Sequence, residues 1–146
     1  MVVDIAAGAV GPVVACAAMP ATYEDAAAMA LALPEVTEGL RHGSRTWFVD
    51  GKGFAWERGY SKADLKRFAA ARVTPPDGPV LAVRTDGLEE KEALLASGQK
   101  GFFTMEHFNG YPAVLIQLKV VHKRQLREAI IDGWSACAPA RLAKSR

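Results

Sequence analysis

Apolar and polar positions change their period several times along the chain, and each change marks an element. Tyr23 to Ala32 is Ala-rich with Met29 and Leu33 toward one side, which predicts a helix. Thr22 offers an N-cap with Asp25 in the first turn, and Leu33-Pro34 stops the helix. Gly39 to His42 is a candidate short strand. Arg45 to Asp50 and Phe54 to Arg58 are rich in β-branched and aromatic residues on either side of Gly51-Lys52-Gly53, which predicts a hairpin with Lys52 at its tip. Ser61 caps a short helix through Phe68, with Leu65 and Phe68 inward and Lys62, Lys66 and Arg67 outward. Thr74 to Pro79 can only be a loop.

Val80 to Arg84 reads as a strand. Asp86 to Ala96 reads as a helix with Leu88, Leu94 and Leu95 as its apolar contacts, Glu89, Glu90, Lys91 and Glu92 exposed, and Gly98 beyond its end. Phe102 to Thr104 and Tyr111 to Val120 are strands with Asn109-Gly110 as a hairpin turn between them, and Val114, Ile116 and Leu118 share one face. In His122 to Cys137, Leu126, Ile130, Trp134 and Cys137 recur at helical spacing. Ala138-Pro139 breaks that helix, and Arg141 to Arg146 is a basic tail. The order predicts an α+β, two-layer domain: a largely antiparallel sheet with helices packed on one face.

The chain has 146 residues, half of them apolar, enough for one domain and its core. Residues 21–146 are read as that domain. Met1 to Pro20 is nearly all Ala, Val and Gly with Asp4 as its only charge. No positive n-region marks it as a secretory signal, and Gly8, Gly11 and Pro12 argue against a membrane span. Residues 1–20 are therefore expected to be a disordered or mis-called N-terminal extension, with Met19 as an alternative start. Cys16 and Cys137 lie far apart without Cys-x-x-Cys spacing, which fits a reducing, cytoplasmic setting.

Candidate chemistry is sparse. His42, His107 and His122 lie in three segments without metal-ligand spacing, so no metal is expected. No nucleophile elbow or triad spacing occurs, and Cys137 sits on an apolar helix face, where a thiol is inert. Gly51-Lys52-Gly53 joins two antiparallel strands, whereas a phosphate cradle joins a strand to a helix. No catalytic residue and no cofactor are expected, so binding is favoured over catalysis. Trp47, Phe48, Phe54 and Trp56 gather on one hairpin, where most of the rings should enter the core and one or two remain at the surface.

Charge is the one asymmetric signal. The formal net charge is only +2, yet Lys119 to Arg146 holds seven Lys or Arg against Glu128 and Asp132, and the rest of the chain is net acidic. A basic face of this kind, with Lys119, Lys123, Arg124 and Arg127, attracts phosphate and releases counterions from nucleic acid. It is also what a solvated helix face looks like.

Several segments together resemble the YjbR/MmcQ family, often described as DNA-binding. They are Ala32-Leu33-Pro34-Glu35-Val36-Thr37-Glu38, Trp47-Phe48-Val49, Gly53-Phe54-Ala55, Gly110-Tyr111-Pro112-Ala113-Val114, Leu126 to Trp134, and Ala138-Pro139-Ala140-Arg141-Leu142. The similarity runs from Tyr23 to Lys144. It implies a two-layer fold of the CyaY/frataxin type and a "double wing" mode of DNA contact through two β-hairpins. Carried onto this sequence, the wing residues are Arg45, Lys52 and Arg58 on the first hairpin, with His107 and Lys119 beside the second. The iron chemistry of frataxin does not carry over, because Glu24 and Asp25 are the only acids of an otherwise Ala-rich first helix. Asp50 and Glu57 on the first hairpin oppose phosphate.

Three functions follow as expectations. The first is a weakly sequence-selective DNA binder whose hairpins and basic C-terminal helix contact the phosphate backbone. The second is a protein- or peptide-binding module using the sheet face or edge. The third is a small-molecule binder, which requires a concave pocket near Trp47, Trp56 and His42. Nothing in the sequence indicates membrane attachment or sets the oligomeric state.

Overall fold

The computed structural model describes residues 19–145; the readings made for residues 1–18 and Arg146 lie outside these. Helix α1 (Tyr23–Leu31) opens the fold. Three strands follow, β1 (Thr37–Arg41), β2 (Ser44–Val49) and β3 (Lys52–Glu57), then α2 (Lys62–Ala70). Next come β4 (Val80–Arg84), α3 (Leu88–Ala96), the short β5 (Phe102–Phe103), a 3-10 turn (Glu106–Phe108) and β6 (Ala113–Gln117). The long helix α4 (Lys123–Cys137) and the short α5 (Ala140–Ser145) complete it. The strands form one antiparallel sheet of six in the order β1-β2-β3-β4-β6-β5.

Local chemistry accounts for the boundaries. Thr22 and Asp25 form a reciprocal capping box at the start of α1, and Ser61 and Asp64 form another at α2. The turns joining β1 to β2 and β2 to β3 are His42-Gly43 and Asp50-Gly51, all four residues having positive φ, as tight hairpins of the right-handed sheet require. The second turn therefore sits one residue earlier than the Gly51-Lys52-Gly53 expected, and Lys52 and Gly53 belong to β3. A bulge follows, since Phe48 opposes Gly53 while Trp47 opposes Ala55.

One sheet face is covered by α1 and α4. Trp47, Phe54, Leu81, Val83, Val114, Ile116 and Leu118 meet Ala26, Ala27 and Ala30 of α1 and Leu126, Ile130 and Trp134 of α4. The small α1 residues and Gly133 allow close approach, for a Cβ at Gly133 would lie 2.8 Å from Val83 Cγ1. Trp134 donates from Nε1 to the Pro34 carbonyl at 3.0 Å, tying the long helix to the loop after α1. Cys137 is buried on this face, and burial pushes its thiol pKa up.

The opposite face is covered over only half its width. Val80 and Ala82 of β4 and Ala113 and Leu115 of β6 pack with Met105 and Phe108, joined by Tyr60 and by Phe68 of α2. Leu65 and Leu88, expected inside, are 46% and 47% exposed; both fall in the first turns of short helices that touch the sheet only further along. Lys91 departs in the other direction. Read as exposed among glutamates, it is 3% exposed and reaches inward between α3 and the segment before β6. Asn109-Gly110 is likewise no tight hairpin turn, because the 3-10 turn before it and residues up to Pro112 lengthen the connection. The expected basic tail folds as α5, where Arg141 pairs with Glu35 at 3.0 Å and Leu142 is buried.

Candidate functional site

Strand alternation sends one set of side chains on β1–β3 toward the helices and the other toward the uncovered half of the sheet. Arg41 of β1, Ser44 and Thr46 of β2, and Trp56 with Arg58 at the end of β3 share the uncovered side. Facing them are His107, Phe108 and Tyr111 from the connection before β6. Together with His42, Gly59 and Ser61 they enclose a cleft of about 660 Å³. Two arginines, two imidazoles and three hydroxyl side chains of Ser and Thr line it, and no carboxylate does. Low-dielectric walls around like charges concentrate the field in such a recess.

The two arginines are held differently. Arg41 places its guanidinium 5.8 Å from the Phe48 ring centroid and pairs with no carboxylate among the described residues. Its path is open because Gly53 has no side chain: a Cβ there would lie 2.7 Å from Arg41 Nη1 and 2.9 Å from Thr46 Cγ2. Arg58 lies over the Phe108 ring at 5.5 Å, donates to the Gly59 carbonyl and pairs with Asp64 Oδ2 at 3.0 Å. Burial would raise the pKa of Asp64. The Ser61 backbone N–H and the adjacent Arg58 outweigh that and hold it below the usual carboxylate value. Arg67 approaches the other Asp64 oxygen at 3.6 Å, so the acid is shared by two cations.

Three aromatic residues form the apolar part of the cleft. Trp56 stacks on Phe108 at 6.5 Å with an interplanar angle of 20°, and Tyr111 meets Phe108 edge-on at 6.0 Å. Phe108 is buried, whereas Trp56 is half-buried and Tyr111 is exposed. Arg84 lies over the Tyr111 ring at 5.6 Å and donates to the Pro112 carbonyl at 3.2 Å. Lys91 fixes this side from behind, its ammonium donating to the Phe108 carbonyl at 2.5 Å and the Tyr111 carbonyl at 2.8 Å. Burial lowers the Lys91 pKa.

The residues expected from sequence to contact DNA do not share one surface. Arg58 and His107 line the cleft. Arg45 points to the helix-bearing side, where it bonds Glu24 at 2.9 Å and Glu38 at 3.0 Å, approaches Glu57 at 3.4 Å, and lies over Trp47. Its bonds to Glu24 and Glu38 raise its pKa further. Lys119 pairs with Asp77 at 2.7 Å, Lys123 with Asp25 at 3.6 Å and Arg124 with Glu128 at 3.5 Å. Lys123 and Arg127 flank a shallow depression between α1 and α4, on the other layer of the molecule. Lys52 is exposed beside the β2–β3 turn. Sequence reasoning named His42 and Trp56 as pocket residues; Trp47, named with them, is wholly buried, with Nε1 bonded to Glu38. It missed Arg41, Thr46, Ser61 and Tyr111. The alternation Arg41, Ser44, Thr46 opposite Trp56 and Arg58 was the available signal.

Among the described residues, no group of three or more His, Cys, Asp or Glu stands together to hold a metal ion. No helix among them is long and apolar enough to cross a membrane.

Fold and cleft together define a two-layer α+β domain with a basic, aromatic-lined recess on the open half of its sheet. The chain belongs to the YjbR family, whose model matches residues 31–136, a span that includes every residue lining the cleft. It is similar to an uncharacterized protein of Mycobacterium bovis and to two of Mycobacterium tuberculosis. Each is 37% identical over 125 residues, covering 86% of this chain and 95% of the relative. No solved structure matches the chain.

Proposed function

We propose that this protein binds nucleic acid without catalysis, and that it holds backbone phosphate in the cleft between its first hairpin and the connection before β6. The observation that carries the reading is the lining itself, in which Arg41, His42, Arg58 and His107 converge and no carboxylate takes part, Asp64 pairing with Arg58 from outside the lining. Guanidinium groups match phosphate geometry, and charge-assisted bonds are stronger than neutral ones. Most cations of α4 and β2 are matched by acids, which leaves the cleft as the better phosphate site. The two sides of the cleft belong to the two hairpin regions, as a two-wing contact would require.

Fluorescence anisotropy of labelled DNA at several salt concentrations tests this. Affinity should fall steeply with salt as counterions are released. Arg41→Ala/His107→Ala should weaken binding by about tenfold, the scale of losing charge-assisted hydrogen bonds. Lys123→Ala/Arg124→Ala/Arg127→Ala should change it little. Absence of binding at low salt would remove the proposal.

A second reading has one observation in its favour. The cleft volume of about 660 Å³ falls within the range of roughly 300–1,000 Å³ typical of small-molecule sites. A phosphorylated or carboxylated aromatic metabolite would fit the same lining, and thermal shift against a panel of such compounds would reveal it.

A further inference from the structure

We infer that the ligand of the cleft is single-stranded nucleic acid, taken with one base unstacked against Trp56 and Tyr111 while its phosphate meets Arg41. The inference rests on the nucleic-acid reading of the cleft and adds the strand state to it. Cations alone would accept any polyanion, duplex included. The aromatic side of the cleft narrows the choice.

Trp56, Phe108 and Tyr111 form a connected set, offset-stacked at 6.5 Å and edge to face at 6.0 Å. Phe108 is the buried centre, with Trp56 stacked on it and Arg58 over its ring. Trp56 and Tyr111 are the members that keep surface in the cleft. A base on Trp56 extends the stack that Trp56 makes with Phe108, and Tyr111, edge-on to Phe108 with Arg84 over its ring, offers a second ring beside it. The platform is also rigid: Lys91 anchors the carbonyls of Phe108 and Tyr111 from the protein interior. Little ordering of that side then remains to be done on binding.

A duplex cannot use this platform. Its base faces are covered by their neighbours, and only base edges show in the grooves. Recognition by ring stacking needs bases that are already free, as they are in single strands. Any base has a face to offer, so selectivity for sequence should be slight while preference for the single strand is strong. Placing cations and aromatic surface within one recess is the arrangement that tracks phosphate and base together.

Trp56 supplies its own probe. The chain has three tryptophans, and Trp47 and Trp134 are fully buried. Quenching of intrinsic fluorescence on binding therefore reports on Trp56. The probes are a short oligothymidylate, an abasic strand of the same length, and a duplex of the same length.

The expected result is saturable quenching by the oligothymidylate, with affinity about tenfold or more above that for the duplex and the abasic strand. Trp56→Phe should lose the quenching and weaken binding severalfold, since a smaller ring offers less stacking surface, while Tyr111→Ala should lose about tenfold in affinity. Tyr111 is 42% exposed, so that variant should fold even if a larger change at Trp56 does not. Equal binding of all three probes without quenching would overturn the inference and leave the phosphate-binding reading standing. Failure of all three to bind at low salt would overturn both.

Discussion

The guanidinium of Arg41 passes over the backbone of Gly53 on the neighbouring hairpin, through the space a side chain would occupy. One residue lacks a side chain so that another can lie flat along the sheet and present its charge to the cleft. Arg41 and Gly53 come from β1 and β3, two strands apart in sheet order, with Thr46 of β2 between them.

Gly53→Ala should therefore act on stability and affinity together. The new methyl would meet Arg41 Nη1 at 2.7 Å and Thr46 Cγ2 at 2.9 Å. Arg41 can swing away, but Thr46 is buried and cannot. The expected cost is about 1–2 kcal/mol in urea denaturation, the scale of mild overpacking. DNA affinity should fall severalfold through displacement of Arg41. If neither quantity changes, the contact is not what shapes this side of the cleft.

Lys91→Met should loosen the opposite side. The substitution keeps the stem and removes the ammonium that serves the Phe108 and Tyr111 carbonyls. Two shielded acceptors then lose their donor, at a cost of about 2–3 kcal/mol. Hydrogen exchange should speed up in the 106–112 segment more than in α4. Unchanged protection there would show that packing alone holds the segment.

Asp64→Asn separates stability from binding. The carboxylate accepts from Ser61 N at 2.9 Å and pairs with Arg58 and Arg67. Its pKa is lowered in the folded protein, so the stability it contributes is present above the unfolded value of about 3.9 and lost as pH falls toward and through the folded value. The wild type should lose more stability than Asp64→Asn over that acid range. At neutral pH the variant should be less stable by about 1–3 kcal/mol. Arg58, freed of its acid, should bind oligonucleotide more tightly. Weaker binding by a folded Asp64→Asn would argue that Asp64 serves to aim Arg58.

Tyr60 gives the alkaline counterpart. Its hydroxyl donates to the Pro76 carbonyl at 2.7 Å. Burial, with Asp64 and Asp77 nearby, pushes its pKa up to about 12. Because the folded pKa exceeds the unfolded value of about 10, its contribution is complete below about pH 10. It declines as pH rises toward about 12, where the unfolded chain has released the proton and the folded one has not. The stability difference between wild type and Tyr60→Phe should shrink by at most about 2 kcal/mol over that window. A constant difference would place the phenol in a more water-like setting.

Most of the helix layer was legible in the sequence because its signals are local. Thr22 and Ser61 cap as expected, and Leu126, Ile130, Trp134 and Cys137 are all buried at helical spacing. Val114, Ile116 and Leu118 likewise share the face that meets α1 and α4. The cleft was harder to read, because its residues come together only through strand pairing and the long connection before β6. Arg41 and Trp56 are brought into one cleft by sheet order, with β2 between their strands, which no spacing in the chain reports. Lys91 stood among glutamates and read as solvated, and only the carbonyls of Phe108 and Tyr111 explain why it turns inward. The basic density of the C-terminal region was real as composition. Its meaning depended on Asp25, Asp77, Glu35 and Glu128, which pair with Lys123, Lys119, Arg141 and Arg124.

The half-covered sheet divides the molecule into a slow part and a fast part. β4 and β6 are buried on both faces along nearly their whole length, while the edge strand β1 has a single neighbour and a largely exposed pattern. Amide protons of β4 and β6 should report global unfolding, and those of β1 should escape by local opening at far lower cost. Arg41 sits at the end of that opening strand, opposite a wall fastened to the slow half. The cleft is thus a jaw with one fixed side and one that breathes, and a ligand gripped across it would tie the edge of the sheet to its centre.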